Sequence, residues 1–448
     1  MPSNTAVAPE ISPVMYPSLD EAMKSAMQLH VDGKHADAEQ RYRAIIAARP
    51  DAAEPRYYLG FLLQQSGDIV EATALIAESI RLDATRAEWH FNFGIVLVKQ
   101  QKYADAIAAF QQALTLNPRN YYCWTNLGSV FEKTAEPAKA EQCYLSATQL
   151  NPACADAYYL LSVLYLGQER FEEANYFNFC GLTTEPVEPA SRIRLIHAYH
   201  GLGRTQEAVV LLQNWLKDEP DNPTAAHLLA THALHQIPER CSDRYLETTF
   251  DEFAPSFDST LERLKYSIPQ RVRSELALLN FPANSKRSLD LGCGTGLNGA
   301  SLKPVSSTLV GVDISQGMLS LAREKNLYGR LHQSEISDFL EQSKDQYDLI
   351  LCTDTFVYFG GLEPVFSLIS RSLQADGWFF FSTEKLDETS GAKTYQLNTS
   401  GRYSHGQSYL ACLLNKYGFD TPEFHDVAIR MESGRPITGQ FVKAKKKT

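Results

Sequence analysis

The residues best suited to chemistry lie in Ser288-Leu-Asp-Leu-Gly-Cys-Gly-Thr-Gly296. A short apolar run, Ser288 to Leu291, carries one acid, Asp290. Three glycines follow at alternate positions, Gly292, Gly294 and Gly296, with Cys293 between the first two. Glycine lets the backbone turn sharply and lets a ligand lie against it with no Cβ in the way; the small Cys293 suits the same loop. A helical run starts at Leu297. Strand, glycine turn and helix are the parts of a nucleotide-binding βα unit. Further acids stand at the ends of later apolar runs: Asp313 after Thr308–Val312, Glu335 after Gly329–Gln333, and Asp354 after the run that starts at Tyr347.

These acids select the ligand. The spacing is G-x-G-x-G and not G-x-G-x-x-G, because Leu297 fills the place of the last glycine. A strand-end acid such as Asp313 is where a ribose hydroxyl pair is held. Carboxylates crowded around one glycine loop repel a pyrophosphate and suit a ligand carrying an ammonium and a sulfonium. S-adenosylmethionine therefore fits better than NAD.

Residues 288–296 resemble motif I of the seven-stranded, class I S-adenosylmethionine-dependent methyltransferases. Val310-Gly-Val-Asp313 is similar to their ribose motif, Tyr347-Asp-Leu-Ile-Leu-Cys-Thr-Asp354 to their fourth strand, and Leu373-Gln-Ala-Asp-Gly377 to the turn before the fifth. The resemblance runs over residues 240–445 and implies a role for each position. Gly292, Cys293, Gly294 and Gly296 would pass under the methionine and ribose. Asp290 would orient the loop or receive the ammonium. Asp313, with Ile314 beside it, would hold the ribose hydroxyls. Glu335 and Ile336 would border the adenine. Asp354 would sit where the cofactor amine and the acceptor meet.

Acceptor-side candidates are Asp354, Tyr358, Tyr403 and His405. The last two fall in Gly401-Arg-Tyr-Ser-His405, read as a polar loop after the fifth strand. A histidine there could take a proton from a hydroxyl or amine acceptor. Thr353-Asp-Thr-Phe-Val-Tyr358 stands where an amino or amide methylase has N-P-P-Y or D-P-P-Y. No acid trio for magnesium and no paired-glutamate loop is seen. His197/His200 and His232/His235 are each one helical turn apart, but neither pair has a third ligand in register, so no metal is expected.

The elements that position these residues alternate: helix 297–302, strand 308–312, helix 316–325, strand 329–333, helix 336–342, strand 348–353, helix 364–373, strand 378–383, helix 406–417, and two closing strands near 424–430 and 436–443. Such alternation predicts a parallel sheet with helices on both faces and a ligand at the strands' carboxyl ends. Upstream, residues 239–285 read as a linker with lid helices. Phe250, Phe253 and Phe257 have helical spacing there, and the segment looks like the aromatic lead-in of methyltransferases fused to tetratricopeptide repeats.

Residues 19–222 hold a repeat. Alanine recurs 34 residues apart at Ala38, Ala72, Ala106, Ala140, Ala174 and Ala208. A bulky residue follows four later (Tyr42, Ile76, Phe110, Tyr144 and Leu212), Asn178 being the exception. Proline keeps the same phase at Pro50, Pro118, Pro152, Pro186 and Pro220; Gly60, Gly94 and Gly128 mark a small position, and Gly33, Gly67 and Gly203 a turn. The pattern resembles the tetratricopeptide repeat, a helix-turn-helix of 34 residues. Six repeats are expected, then a capping helix, Thr224 to His235. The resemblance implies a groove lined by Tyr57, Phe61, Phe91, Ile95, Tyr159 and Val163, edged by Asp20, Glu54, Glu88, Tyr122 and Asp156. Such a groove suits a protein or peptide partner with apolar and basic residues.

The whole chain reads as a flexible leader (1–18), an all-α tetratricopeptide superhelix (19–238), the linker and lid (239–285) and an α/β, seven-stranded, Rossmann-like methyltransferase domain (286–448). Its 448 residues, 44% hydrophobic, are enough for separate cores. A net charge of −11 argues against nucleic acid as a partner; the tail Lys443-Ala-Lys-Lys-Lys447 reads as a solvated end. No run is long and apolar enough to span a membrane, no secretion leader is seen, and eight cysteines show no paired spacing, so a cytoplasmic setting is expected. The expected activity is methyl transfer from S-adenosylmethionine to an O or N of an undetermined small-molecule or protein acceptor. The rival is a scaffold whose methyltransferase fold binds cofactor without turnover.

Overall fold

The computed structural model describes residues 18–232, 237–387, 394–432 and 435–448. The expected leader, apart from Ser18, and His235 lie outside them. The chain divides into two compact units, residues 1–186 and 187–448.

The first unit is helical. It holds five helix pairs: α1 (Leu19–Val31) with α2 (His35–Ala48), α3 (Glu54–Ser66) with α4 (Ile69–Leu82), α5 (Ala87–Lys99) with α6 (Tyr103–Leu116), α7 (Tyr121–Lys133) with α8 (Pro137–Leu150), and α9 (Ala155–Gly167) with α10 (Phe171–Leu182). Size matching across each pair explains the repeat. The in-phase alanines of α2, α4, α6, α8 and α10 are all buried, and so are Tyr42, Ile76, Phe110 and Tyr144. Each bulky side chain presses on a small residue of its partner helix. A Cβ at Gly94 would lie 2.5 Å from the Phe110 ring, and one at Gly128 would lie 2.6 Å from Tyr144. Where the bulky position is Asn178, the fifth pair reverses the arrangement. Tyr159 of α9 now lies over Gly181 of α10, and a Cβ there would lie 2.6 Å from its ring.

The turn between paired helices is left-handed each time. Glycine serves at Gly33 and Gly67, but the later pairs use Gln101, Ala135 and Glu169, with φ of 60°, 59° and 60°. Of the groove residues, Tyr57 is a correction. It is 1% exposed, stacks on Trp89, and its hydroxyl donates to Glu88 and accepts from Asn92. A large ring at that position is more stable between helices than in water. Phe61, Phe91, Ile95 and Tyr159 are half-buried, and Val163 and Tyr122 are exposed.

The second unit begins with the sixth helix pair, α11 (Arg192–Gly201) and α12 (Thr205–Asp218), and with α13 (Pro223–Ala230). The compact division falls at 186, inside the stretch read as repeats and capping helix (19–238). The cap helix ends five residues before the expected His235. Next come α14 (Asp243–Phe253), α15 (Phe257–Arg263) and α16 (Ile268–Leu279). The alternating region follows: β1 (Lys286–Leu291), α17 (Gly299–Leu302), β2 (Ser306–Asp313), α18 (Gln316–Glu324), β3 (Arg330–Gln333), α19 (Ile336–Gln342), β4 (Tyr347–Cys352), α20 (Glu363–Ser372) and β5 (Leu373–Lys385). It closes with β6 (Tyr395–Leu397), β7 (Tyr403–His405), α21 (Gln407–Lys416), β8 (Glu423–Glu432) and β9 (Arg435–Lys445).

Strands β3-β2-β1-β4-β5 are parallel neighbours; β9 adds antiparallel to β5, and β8 to β9. These seven strands form the expected sheet. The hairpin β6–β7 was not expected. It pairs with β5 at Glu384 and Lys385, beyond the point where β4 stops at Cys352↔Phe381. Since β9 holds the other edge as far as Glu384↔Gly439, the hairpin takes over the β4 edge. The stretch read as a polar loop is therefore a strand, with Tyr403, Ser404 and His405 all buried. The basic tail is also a strand over much of its length. Lys443 is buried and paired with Glu275 and Glu423.

Substitutions at a packing contact and at a turn test the helical unit. Gly94→Ala should destabilise by about 1–3 kcal/mol through overpacking on Phe110, and Phe110→Leu in the same chain should return part of the loss. Ala135→Gly, which relieves a left-handed non-glycine, should raise the melting temperature slightly. Both are read by thermal denaturation of the full chain.

Candidate active site

The glycine loop is built against the end of β4. Gly292, Gly294 and Gly296 have φ of 67°, 54° and 82°, a region closed to most side chains. A Cβ at Gly292 would lie 2.1 Å from Thr355 Oγ1, so the two loops touch where a side chain cannot fit. Cys293 is buried, as its small size allows.

Two acids fasten this end of the sheet. Asp290, on β1, is 1% exposed and accepts from the Tyr328 hydroxyl at 2.7 Å. Burial pushes its pKa up to about 7, against the opposing pull of that hydrogen bond. Asp313, at the end of β2, accepts from Gly294 N at 2.8 Å and from Ser315 N at 2.9 Å. It thereby ties the glycine loop to the loop before α18. Burial raises it to about 6, while backbone donors pull it down. A carboxylate has about four acceptor positions, so Asp313 keeps capacity for hydroxyl donors.

The lid helices close over the same loops. Asp251 of α14 accepts from Ser315 Oγ at 2.6 Å and from Gly317 N at 2.9 Å. Asp258 of α15 takes the Thr295 hydroxyl and the Lys325 ammonium. Phe257 is the nearest neighbour of a Cβ built at Gly294, at 3.9 Å. Ile314 packs beside Phe250 and Tyr358, and Ile336 is buried in the sheet core.

Glu335 is the N-cap of α19, and its Oε2 accepts from Ser337 N at 2.7 Å and Asp338 N at 3.1 Å.

The acceptor side divides. Asp354 has a left-handed φ of 52°, and its N–H donates to Ser382 Oγ at 2.8 Å. Burial raises its pKa, Arg402 lowers it, and Glu432 raises it. Tyr358 lies by Arg402, and burial pushes its hydroxyl up to about 12. Tyr403 and His405 do not join them. The Tyr403 hydroxyl donates to Pro238 O at 2.6 Å. His405 is 0% exposed, holds Gly360 O at 3.1 Å and stacks on Tyr409; burial lowers its pKa to about 4. A ring so placed is a structural pin of the hairpin and not a solvent-reachable base.

Several site residues escaped the sequence reading. Asn298 donates to Thr353 Oγ1 at 2.9 Å while its own Oδ1 is buried without a donor. Tyr266 bonds to Thr353 beside Asp290 and Asp354. Arg402 lies inside the quoted Gly401–His405 stretch. Arg430 sits on the closing strand β8 and Glu384 near the end of β5. Among the described residues no group of three or more His, Cys, Asp or Glu could hold a metal ion, and no helix is long and apolar enough to cross a membrane.

Residues 289–377 match a family model described as a methyltransferase domain, and residues 31–90, 87–120 and 125–177 match tetratricopeptide-repeat models. The chain joins tetratricopeptide repeats to a methyltransferase domain. It is similar to the ubiquinone biosynthesis O-methyltransferase of Thiobacillus denitrificans, at 29% identity over 125 residues, 27% of this chain and 52% of that one. It is also similar to the human methyltransferase-like protein 27, at 38% identity over 101 residues, 22% of this chain and 40% of that one. A solved magnesium protoporphyrin IX methyltransferase of Synechocystis PCC 6803 aligns at 16% identity and a TM-score of 0.36, covering 46% of this chain and 97% of that one. The chain spans about half the length of the curated relatives it matches: 43%, 52% and 60% for the first three.

Burial of Asp290 has a measurable sign. Its folded pKa of about 7 exceeds the unfolded value of 3.8, so the folded state holds the extra proton between them and stability falls as pH rises through that window. Asp290→Asn removes the effect. Its stability relative to the parent should grow above pH 4 and level off above pH 7, by at most about 4 kcal/mol. Denaturant unfolding of parent and variant across that range checks it. A constant difference would remove Asp290 as a buried titrating acid.

Proposed function

We propose that the second unit transfers the methyl group of S-adenosylmethionine to an oxygen or nitrogen of an acceptor, and that the helical repeats bind a partner protein or peptide. The observation that carries the reading is the loop pair Gly292–Thr355, clamped by Asp313, at the carboxyl ends of β1, β2 and β4. That end of the sheet is where such folds take ligands. The residues suit this cofactor. Asp313 has acceptor capacity for ribose hydroxyls, and Asn298 Oδ1 is a buried acceptor without a donor, which suits an ammonium. A Cβ at Gly294 would meet only the Phe257 ring, at 3.9 Å. Bound there, the cofactor supplies an electrophilic methyl on a sulfonium.

The chain's part is placement and exclusion of water. Gly292, Gly294 and Gly296 let the ligand approach the backbone, Asp313 and Asn298 orient its two polar ends, and α14 and α15 cover the loop. Direct displacement needs the nucleophile held in line, which contributes through lost motional freedom already removed on binding. Asp354 stands where the acceptor would enter. The relatives' printed names, O-methyltransferases among them, accord with this reading.

Calorimetry on the full chain should show S-adenosylhomocysteine binding and no heat from NAD; the reverse would sink the proposal. Asp313→Asn keeps one acceptor for the loop N–H groups but loses the charge. It should weaken S-adenosylhomocysteine by roughly tenfold or more, as expected for charge-assisted hydrogen bonds.

A further inference from the structure

Arg430 is 2% exposed, deep in β8. A bulge in the β8–β9 ladder between Ala428 and Arg430 buries Ile429 and Arg430 in succession. The extra residue turns the arginine toward the end of β4. Nε donates to Glu432 Oε1 at 2.6 Å, and Nη2 to Glu384 Oε1 at 2.7 Å. Nη1 is buried and makes no hydrogen bond among the described residues. It faces Asp354 Oδ1 at 3.7 Å, beyond hydrogen-bond length, and that oxygen is also buried without a donor. Arg402 completes the cluster, with Nη1 3.1 Å from Glu432 Oε1 and 3.6 Å from Glu384 Oε1.

We infer that the group methylated here is a hydroxyl, held by Arg430 Nη1 as donor and Asp354 Oδ1 as acceptor. The inference rests on the methyl-transfer reading and adds the acceptor atom. A buried donor and a buried acceptor side by side, ion-paired at 3.7 Å but neither of them hydrogen-bonded among the described residues, call for one group that accepts and donates at once. A carboxylate cannot donate, and it would meet the Asp354 charge. An ammonium cannot accept, and it would meet the Arg430 charge. A neutral amine can bond to both, but its single lone pair is then committed to Arg430 and is not free to attack. A hydroxyl oxygen has two lone pairs, one for Arg430 and one for the methyl.

The step balances. The hydroxyl proton passes to Asp354, an oxygen lone pair forms the new O–CH3 bond, and the C–S bond of the sulfonium breaks with its electron pair left on sulfur. A methyl ether and S-adenosylhomocysteine result, and Asp354 returns its proton to solvent. Arg430 stabilises the developing negative oxygen. Burial raises Asp354 above the ordinary carboxylate range, which makes it a better base. The charged and titratable groups around it are Arg430, Arg402, Glu384, Glu432, Tyr266 and Tyr358.

The test works with the acceptor still unidentified. The full chain is incubated with methyl-labelled S-adenosylmethionine and a cell extract, and the linkage of the label is read chemically. Label stable to mild alkali and released as methyl iodide by hot hydriodic acid is an ether, the expected result. Label freed as methanol by mild alkali, or retained on nitrogen, overturns the inference. Asp354→Asn suits a left-handed position. It should cut the labelling rate on the order of 10²–10⁴-fold and abolish the acidic limb of the rate profile, with S-adenosylhomocysteine affinity unchanged. Arg430→Lys should lower the rate at the same cofactor affinity. An Asp354→Asn chain at the parent rate, or no labelled product from a chain that binds S-adenosylhomocysteine, also overturns it. Absence of S-adenosylhomocysteine binding would strike the methyl-transfer reading instead.

Discussion

Two carboxylates, Asp290 and Asp313, are held out of water near the carboxyl ends of β1 and β2, a third, Asp354 after β4, is half-buried, and the surrounding structure is arranged to make that tolerable. An ionised acid stripped of water is costly unless donors replace the water. Asp290 has the Tyr328 hydroxyl and Asp313 has two backbone N–H groups. Among the described residues, Asp354 Oδ1 has an ion pair with Arg430 at 3.7 Å and no hydrogen bond. The order is meaningful. The two acids that shape the loop are satisfied from within the chain, and the acid on the acceptor side is left incomplete. A glycine at 292 follows from the same crowding, because the glycine loop after β1 and the loop of Asp354 and Thr355 approach too closely for any side chain between them.

The helical unit meets a different constraint, volume. Two helices in a pair approach closely only where one presents a small residue to the other's large one. The repeat keeps alanine on one helix and glycine on its partner so that Phe110 and Tyr144 can fit. When the sequence gives up the large residue at Asn178, it places Tyr159 and Gly181 the other way round. What persists through the repeats is a matched pair of volumes; the helix that carries the large member is free to change.

The sequence made the repeat, the glycine loop and the strand alternation legible because each is a local pattern with a physical period. Gly94 and Phe110 are 16 positions apart in every intact repeat, and Asp313 stands at a strand end. The hairpin β6–β7 was illegible for the opposite reason. Its strands have three residues each, and its burial comes from a distant strand edge. His405 therefore looked like a surface base and is in fact enclosed. Arg430 was hidden by a bulge, which breaks the alternation that would have assigned its side. Glu335 was visible as an acid at a strand end, but its capture as a helix cap depends on where α19 begins.

The sixth helix pair keeps the repeat phase yet belongs with the α/β unit, and α13, which follows it, is bonded to that unit. His227 of α13 is 6% exposed, with Nε2 2.8 Å from Gly401 O. A carbonyl only accepts, so Nε2 carries the proton, and burial keeps the ring neutral by lowering its pKa. The following segment runs along the end of β4: Cys241 N donates to Tyr358 O, Gly360 N to Glu239 O, and the Tyr403 hydroxyl to Pro238 O. The hairpin is thus held on one side by β5 and on the other by a helix of the repeat series. Gly401, which that helix fixes, adjoins Arg402, the guanidinium that shares Glu432 with Arg430. A boundary drawn after α13 would separate the helix that bonds to Gly401 from the strands that carry the charges.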